Sequence, residues 1–197
     1  MQISKETKLL ETIKAENGKF LFLAFHQNRV NWSREKLGFS TFLELKLPNP
    51  PKKGIFRCRI IYSEKIEKIE FIPYQKKEIK TFSLAFSDNI EYSLKYENRK
   101  KIDDLKSEFL RNADEIIIIK SNLVTDSSIA NILFFDGIKW ITPKLPLLRG
   151  TTRERLLQEK KIFTATIDFR DIEKFQEISF INAMIGFDKI IKPHQLF

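Results

Sequence analysis

The chain has 197 residues, 42% of them hydrophobic and 12% aromatic, which is enough to bury a core and too apolar for an intrinsically disordered chain. Its single cysteine, Cys58, rules out an intrachain disulfide and a cysteine-based zinc site, and with only His26 and His194 an all-protein metal site is a poor expectation. The net charge of +9 comes from lysines spread along the sequence among glutamates, in short blocks such as KKEIK and ENRKKIDD, which describes a solvated mixed-charge surface and not a basic arm.

No apolar run is long enough to span a bilayer, and the opening MQISKETKLL lacks the apolar stretch of a secretion signal, so the expected compartment is the cytoplasm. Residues 8–15 and 19–26 read as two strands joined by the turn Glu16-Asn17-Gly18. A helix is expected over 26–37, with Val30 and Leu37 on one face, followed by the loop Pro48 to Pro51. Strands at 55–62 (IFRCRIIY) and 66–74 (IEKIEFIPY) alternate around Ser63-Glu64-Lys65, an antiparallel pair with one wet face.

A further strand at 80–88 marks the crossover into a second lobe, and 99–111 reads as a helix. EIIIIK, residues 115–120, is a continuous apolar strand of the kind buried on both faces. Asp126 sits in a turn of small residues. Residues 130–135 and 139–142 then pair about Asp136-Gly137, a strong hairpin signal. A helix at 151–159, a strand at 161–167, a short helix at 169–175 and a last strand at 178–184 complete the chain. Strands and helices mix without regular βαβ alternation, which gives an α+β (mixed α/β) fold in two lobes, 1–86 and 87–197.

Several residues carry chemistry beyond structure. Leu148-Arg149-Gly150-Thr151-Thr152-Arg153 opens a helix, where unpaired amides and the helix dipole favour an anion, Gly150 lets that anion approach the backbone, and a threonine hydroxyl adds a donor. The same residues also read as a simple helix cap. Lys95, in YSLKYENR, is either one more surface lysine or an amine desolvated enough to attack an aldehyde. Arg29, in HQNR, reads by itself as an exposed helix arginine. Asp126 reads by itself as turn chemistry.

Taken in order, H-x-x-R at His26–Arg29, K-x-x-N at Lys95–Asn98, V-T-D-S-S-I-A-N around Asp126, R-G-T-T-R at 149–153 and F-I-N-A-M at 180–184 resemble the class IV aminotransferases, the fold-type IV enzymes that use pyridoxal 5'-phosphate. The resemblance covers most of residues 8–187 and is strongest over 114–156. It departs from the family pattern in placing Asp126 where Glu is usual, Ser127 for Gly, Arg149 for Pro and Thr151 for an aliphatic residue, and in a shorter segment between 40 and 90.

The resemblance implies a two-lobed fold of the D-amino-acid aminotransferase type, with Lys95 catalytic and holding the cofactor as a Schiff base. It implies that Asp126 faces the pyridine nitrogen and that Arg29, Gly150, Thr151 and Thr152, with Asn182 and Ala183, bind the phosphate side. It further implies a small amino-bearing substrate and a homodimer, with neither nucleic acid nor membrane as partner. The FHQNRVNWSREKLGF and FINAM segments look like short 4-amino-4-deoxychorismate lyases, which make 4-aminobenzoate for folate and release pyruvate. The alternative within the family is a branched-chain or D-amino-acid aminotransferase. Substrate carboxylates would fall to Arg59, Arg99 or Arg153. The rival of another class is a non-enzymatic nucleic-acid-binding module that stacks bases on exposed Phe and Tyr among lysines.

Overall fold

Asn17 and Gly18 both take positive φ, 48° and 80°, and turn β1 (Leu9–Glu16) tightly into β2 (Lys19–Phe20). The computed structural model describes residues 7–39, 41–76 and 78–187. His194 therefore lies outside the described residues. The chain divides into two compact units, one of Met1–Lys76 with Leu94–Asn98, the other of Lys77–Ser93 with Arg99–Phe197. This division differs from an 86/87 boundary in two places. The strand expected at 80–88 belongs to the second unit, and five residues around Lys95 return to the first.

In the first unit β1 is central, between β2 and β3 (Ile55–Tyr62), with β4 (Ile66–Pro73) at the edge of an antiparallel sheet ordered β2-β1-β3-β4. Helix α1 (Leu23–Lys36) begins earlier than the sequence suggests and takes up the second half of the expected second strand. Phe22, at φ 54°, is the reason: a left-handed residue at the helix start ends the extended run after Phe20. The core gathers Leu9, Ile13, Val30, Cys58, Ile60 and Tyr62, and Leu94 joins it. Burial pushes the Cys58 thiol up to about 11, which leaves it an inert core residue.

The second unit holds two sheets. β5 (Phe82–Phe86) runs parallel to β6 (Glu115–Lys120), which pairs antiparallel with β7 (Leu123–Ser127). A four-stranded sheet is ordered β10-β9-β8-β11, from β8 (Asn131–Phe135), β9 (Trp140–Pro143), β10 (Phe163–Ala165) and β11 (Glu177–Ile181). The Asp136-Gly137 hairpin forms as expected, with Gly137 at φ 97° and the Asp136 carboxylate accepting from the amides of Ile138 and Lys139. Ile116 to Ile119 are buried, as a strand covered on both faces requires. Helices α2 (Lys100–Phe109) and α3 (Thr151–Gln158) and a 3-10 turn at Phe169–Lys174 complete the unit. One local expectation is corrected: Asp126 does not sit in a turn but inside strand β7. No helix among the described residues is long and apolar enough to cross a membrane.

Candidate functional site

Alternation along β1 sends Leu9, Glu11, Ile13 and Ala15 to the buried side, so a carboxylate stands in an otherwise apolar row. An ionised group at such a position must be paired, and α1 supplies the partners one turn apart. His26 and Arg29 reach the same carboxylate: the Arg29 Nε donates to Glu11 Oε1 at 2.7 Å, its Nη2 donates to Oε2 at 2.6 Å, and His26 Nδ1 lies 2.7 Å from Oε2. Burial opposes ionisation of Glu11. The charge of Arg29 and the hydrogen bonds from His26 and Arg29 outweigh it and hold the carboxyl at about 2. Burial lowers the His26 pKa, so the ring is neutral near pH 7 with its Nδ1 proton toward Glu11.

Lys95 is half-buried and anchored through its backbone to that same strand. The Leu10 amide donates to the Lys95 carbonyl at 2.8 Å, Tyr96 bridges to Leu9, and the Glu97 amide donates to the Lys8 carbonyl at 3.0 Å. Strand β1 thus organises both sequence-predicted residues of this unit. Arg59, by contrast, is engaged at the sheet surface with Glu70 at 3.1 Å and Glu97 at 3.5 Å.

In the second unit Asp126 is buried and held by two neutral donors. Its Oδ1 accepts from Asn131 Nδ2 at 2.6 Å and its Oδ2 from the Leu148 amide at 2.8 Å. Desolvation is the largest influence and raises its pKa to about 7, against the opposing pull of those donors and of the Arg153 charge. Asn131 also donates to the Leu148 carbonyl at 2.9 Å, so one amide ties the acid to the segment that enters α3.

Gly150 stands at the start of α3 with ordinary extended backbone, φ −72°. A Cβ there would lie 1.9 Å from Asn131 Oδ1, so glycine is needed for the Asn131 side chain to pass. That requirement is additional to the approach of an anion. No side chain caps this helix start, and Thr151 and Thr152 are buried on it. Next to them Arg153 is 5% exposed, its Nη2 donates to the Pro143 carbonyl at 3.0 Å, and its buried Nε has no hydrogen-bond partner.

Asn182 is placed differently from the expected ligand role. Its Nδ2 donates to the Ile129 carbonyl at 3.0 Å and its Oδ1 accepts from the amides of Met184 and Ile185, so its amide braces a turn in which Ala183 is half-buried. Arg99 Nη2 donates to the Ser128 carbonyl at 2.9 Å, beside that turn.

Sequence reasoning passed over Glu11 and Asn131. The signal for Glu11 was available, since a lone acid on the inward side of an apolar strand needs a buried partner. Asn131 had only its place in the V-T-D-S-S-I-A-N pattern, because the bonds it makes span residues distant in the chain.

Residues 93–190 match the model of a family described as amino-transferase class IV. A protein of Haemophilus influenzae named only as uncharacterised is 46% identical over 186 residues, which covers 90% of this chain and 98% of that protein. A solved structure from Haemophilus somnus 129pt, provisionally named a 4-amino-4-deoxychorismate lyase, is 36% identical with a TM-score of 0.83, and the match covers 92% of this chain and 98% of that one. Another, from Mesorhizobium loti and provisionally named an amino-acid aminotransferase, is 20% identical with a TM-score of 0.80, covering 98% of this chain and 100% of that one, a likeness of fold.

Proposed function

The chain belongs to the class IV aminotransferase family of enzymes, and from that premise we propose that it binds pyridoxal 5'-phosphate and cleaves 4-amino-4-deoxychorismate to 4-aminobenzoate and pyruvate. The observation that carries the cofactor is the buried Asp126, raised to about 7 and held by neutral donors, an arrangement that rewards a cation brought against the carboxylate. The residues present fit the group. In the first unit Arg29 and Lys95 supply a guanidinium and an amine, and in the second the start of α3, with Gly150, Thr151 and Thr152, offers donors to a phosphate next to the orphaned Arg153 Nε, a donor without an acceptor.

Once bound, the cofactor supplies an aldehyde and a ring that withdraws electrons from the amine-bearing carbon of the substrate. Lys95 would hold the group through its amine and would serve as the general base toward the proton on that carbon. The anchoring of its backbone to β1 limits where the Nζ can travel, which favours transfer to and from one face. Asp126 would, once ionised, favour a protonated ring nitrogen brought against it. The phosphate donors fix the ring in place. Asn182 contributes by bracing the 182–186 turn.

The lyase branch rests on the likeness to the Haemophilus somnus protein, which spans nearly its whole length. Purified protein loaded with the cofactor and given aminodeoxychorismate should release pyruvate and 4-aminobenzoate in equal amounts. Lys95→Ala should lose the visible absorbance of the bound cofactor and all turnover, and borohydride treatment of the wild type should leave a pyridoxyl group on the peptide containing Lys95. Glutamate formed from an amino acid and 2-oxoglutarate, without cleavage of aminodeoxychorismate, would assign the transaminase branch instead.

A further inference from the structure

We propose that Glu115 is a positioning residue for Asp126: through the Ser128 hydroxyl it pins β7 to β6 beyond an irregularity at the acid, and so fixes which way the Asp126 carboxyl faces. This rests on the reading of Asp126 as the acid that meets the cofactor ring. Ile119 stands opposite Val124 and Ile117 opposite Ser127, so two steps of β6 face three of β7. The extra residue falls on Thr125 and Asp126, a bulge of the kind that re-aims a side chain. Register is what such a strand can lose, because a slip of one residue would turn Asp126 to the opposite face.

On the near side of the bulge the pairs Lys120–Leu123 and Ile119–Val124 hold the register. On the far side β7 ends at Ser127, and side chains take over. Glu115 is 1% exposed at the start of β6. Its Oε1 accepts from Ser128 Oγ at 2.6 Å and from the Ile116 amide at 2.9 Å, and its Oε2 accepts from Lys106 Nζ of α2 at 2.8 Å. A carboxylate held at both oxygens is a fixed post for the Ser128 hydroxyl.

The turn after β7 is closed on itself. The Ser127 amide donates to the Ala130 carbonyl at 2.8 Å, and Ser127 Oγ accepts from the amides of Ile129 and Ala130 at 3.2 and 2.9 Å. Asn131, the donor to Asp126, follows directly. The turn therefore moves as one piece, and its anchors set where acid and donor stand. Arg99 and Asn182 hold it by the Ser128 and Ile129 carbonyls, while Glu115 ties it to β6, the strand against which the register of β7 is counted.

The test needs no cofactor. Carboxyl 13C NMR follows the titration of Asp126 in the cofactor-free protein, assigned with Asp126→Asn, beside urea unfolding of each variant. Ser128→Ala deletes one oxygen and slackens the Asn131 bond, which favours the ionised acid. The midpoint should rise from about 7 by about one pH unit. Glu115→Leu should do the same, and adding Ser128→Ala to it should change nothing further. Glu115→Gln keeps a carbonyl oxygen for Ser128 and should leave the midpoint at its wild-type place. The Arg153 charge acts on Asp126 in all of these variants alike.

Charge alone predicts another pattern: removing an anion would lower the midpoint in Glu115→Gln and Glu115→Leu equally. That result would make the role coulombic, and lost urea stability with an unmoved midpoint in Ser128→Ala would make it structural; either overturns the proposal. If Glu115→Leu does not fold, Ser128→Ala against Glu115→Gln carries the comparison. A wild type that binds no pyridoxal 5'-phosphate, beside a midpoint that rises as expected, would overturn the cofactor reading and leave Glu115 orienting the acid. A wild type that binds it, beside an unmoved midpoint, would sink this inference alone.

Discussion

At Gly150, before helix α3, a single missing methyl group decides the geometry of an acid in strand β7. A Cβ there meets Asn131 Oδ1 at 1.9 Å, and Asn131 is the donor to Asp126. Gly150→Ala should displace the amide, at a cost of about 1–3 kcal/mol in urea unfolding, and reduce turnover more than stability, because the acid loses its orientation. Asp126 itself gives a pH signature. Its folded value of about 7 lies above the ordinary 3.8, so the folded state binds the proton more tightly. The stability this contributes is complete below pH 3.8 and is lost as pH rises through 7. Denaturant unfolding of cofactor-free protein should therefore show wild type losing ground to Asp126→Asn between pH 4 and pH 8, by as much as about 4 kcal/mol. A flat difference would mean the carboxyl is better solvated than its burial indicates.

Helix α1 shows how an element can be real and yet poorly marked. Its buried residues are His26, Arg29, Val30, Ser33 and Arg34, spaced as one helical face but mostly polar. Apolar periodicity, the main sequence signal, sees only Val30 and then Leu37, and so starts the helix late and gives its first turn to a strand. The polar face is stable because each member has a partner. Arg34 donates to the carbonyls of Ser63, Glu64 and Thr41 and lies 4.5 Å over the Phe39 ring, tying the helix to the β3–β4 turn and to the loop after it. Arg34→Met should cost about 2–4 kcal/mol by thermal or urea unfolding, more than its charge alone would suggest, since several carbonyls lose their donor. Strand β6 is the opposite case. EIIIIK was legible because a strand covered on both faces is apolar throughout. Strand β7 was missed because its interior, Thr125, Asp126 and Ser127, imitates a turn in composition.

Across the whole molecule, the mixed α+β class and the fold-type IV character read from the sequence agree with the solved structures the chain resembles. The division of the chain was less legible, since Leu94–Asn98 returns to the first unit after the chain has entered the second. Local patterns mark where a strand ends but not which sheet a later segment rejoins. The return is held by the buried Leu94 and by backbone bonds to Lys8, Leu9 and Leu10. Leu94→Ala should cost about 2–5 kcal/mol and speed hydrogen exchange at the Glu97 and Leu10 amides ahead of the rest of β1. Uniform exchange would mean that Lys95 is held by other contacts.

The sequence alone determined the chemical inventory: an amine, an acid, an arginine and a glycine-threonine helix start in the order of one enzyme family, together with the turns at Asn17-Gly18 and Asp136-Gly137. Those features are local, set by residue type and short spacing. Only the tertiary structure decided what holds them in place. Glu11 gathers His26 and Arg29, Asn131 threads past Gly150 to reach Asp126, and β1 anchors Lys95. Each of these depends on hydrogen bonds between residues remote in sequence. Burial, which a string of residues does not state, turns those bonds into requirements, because an unpaired polar group away from water is costly.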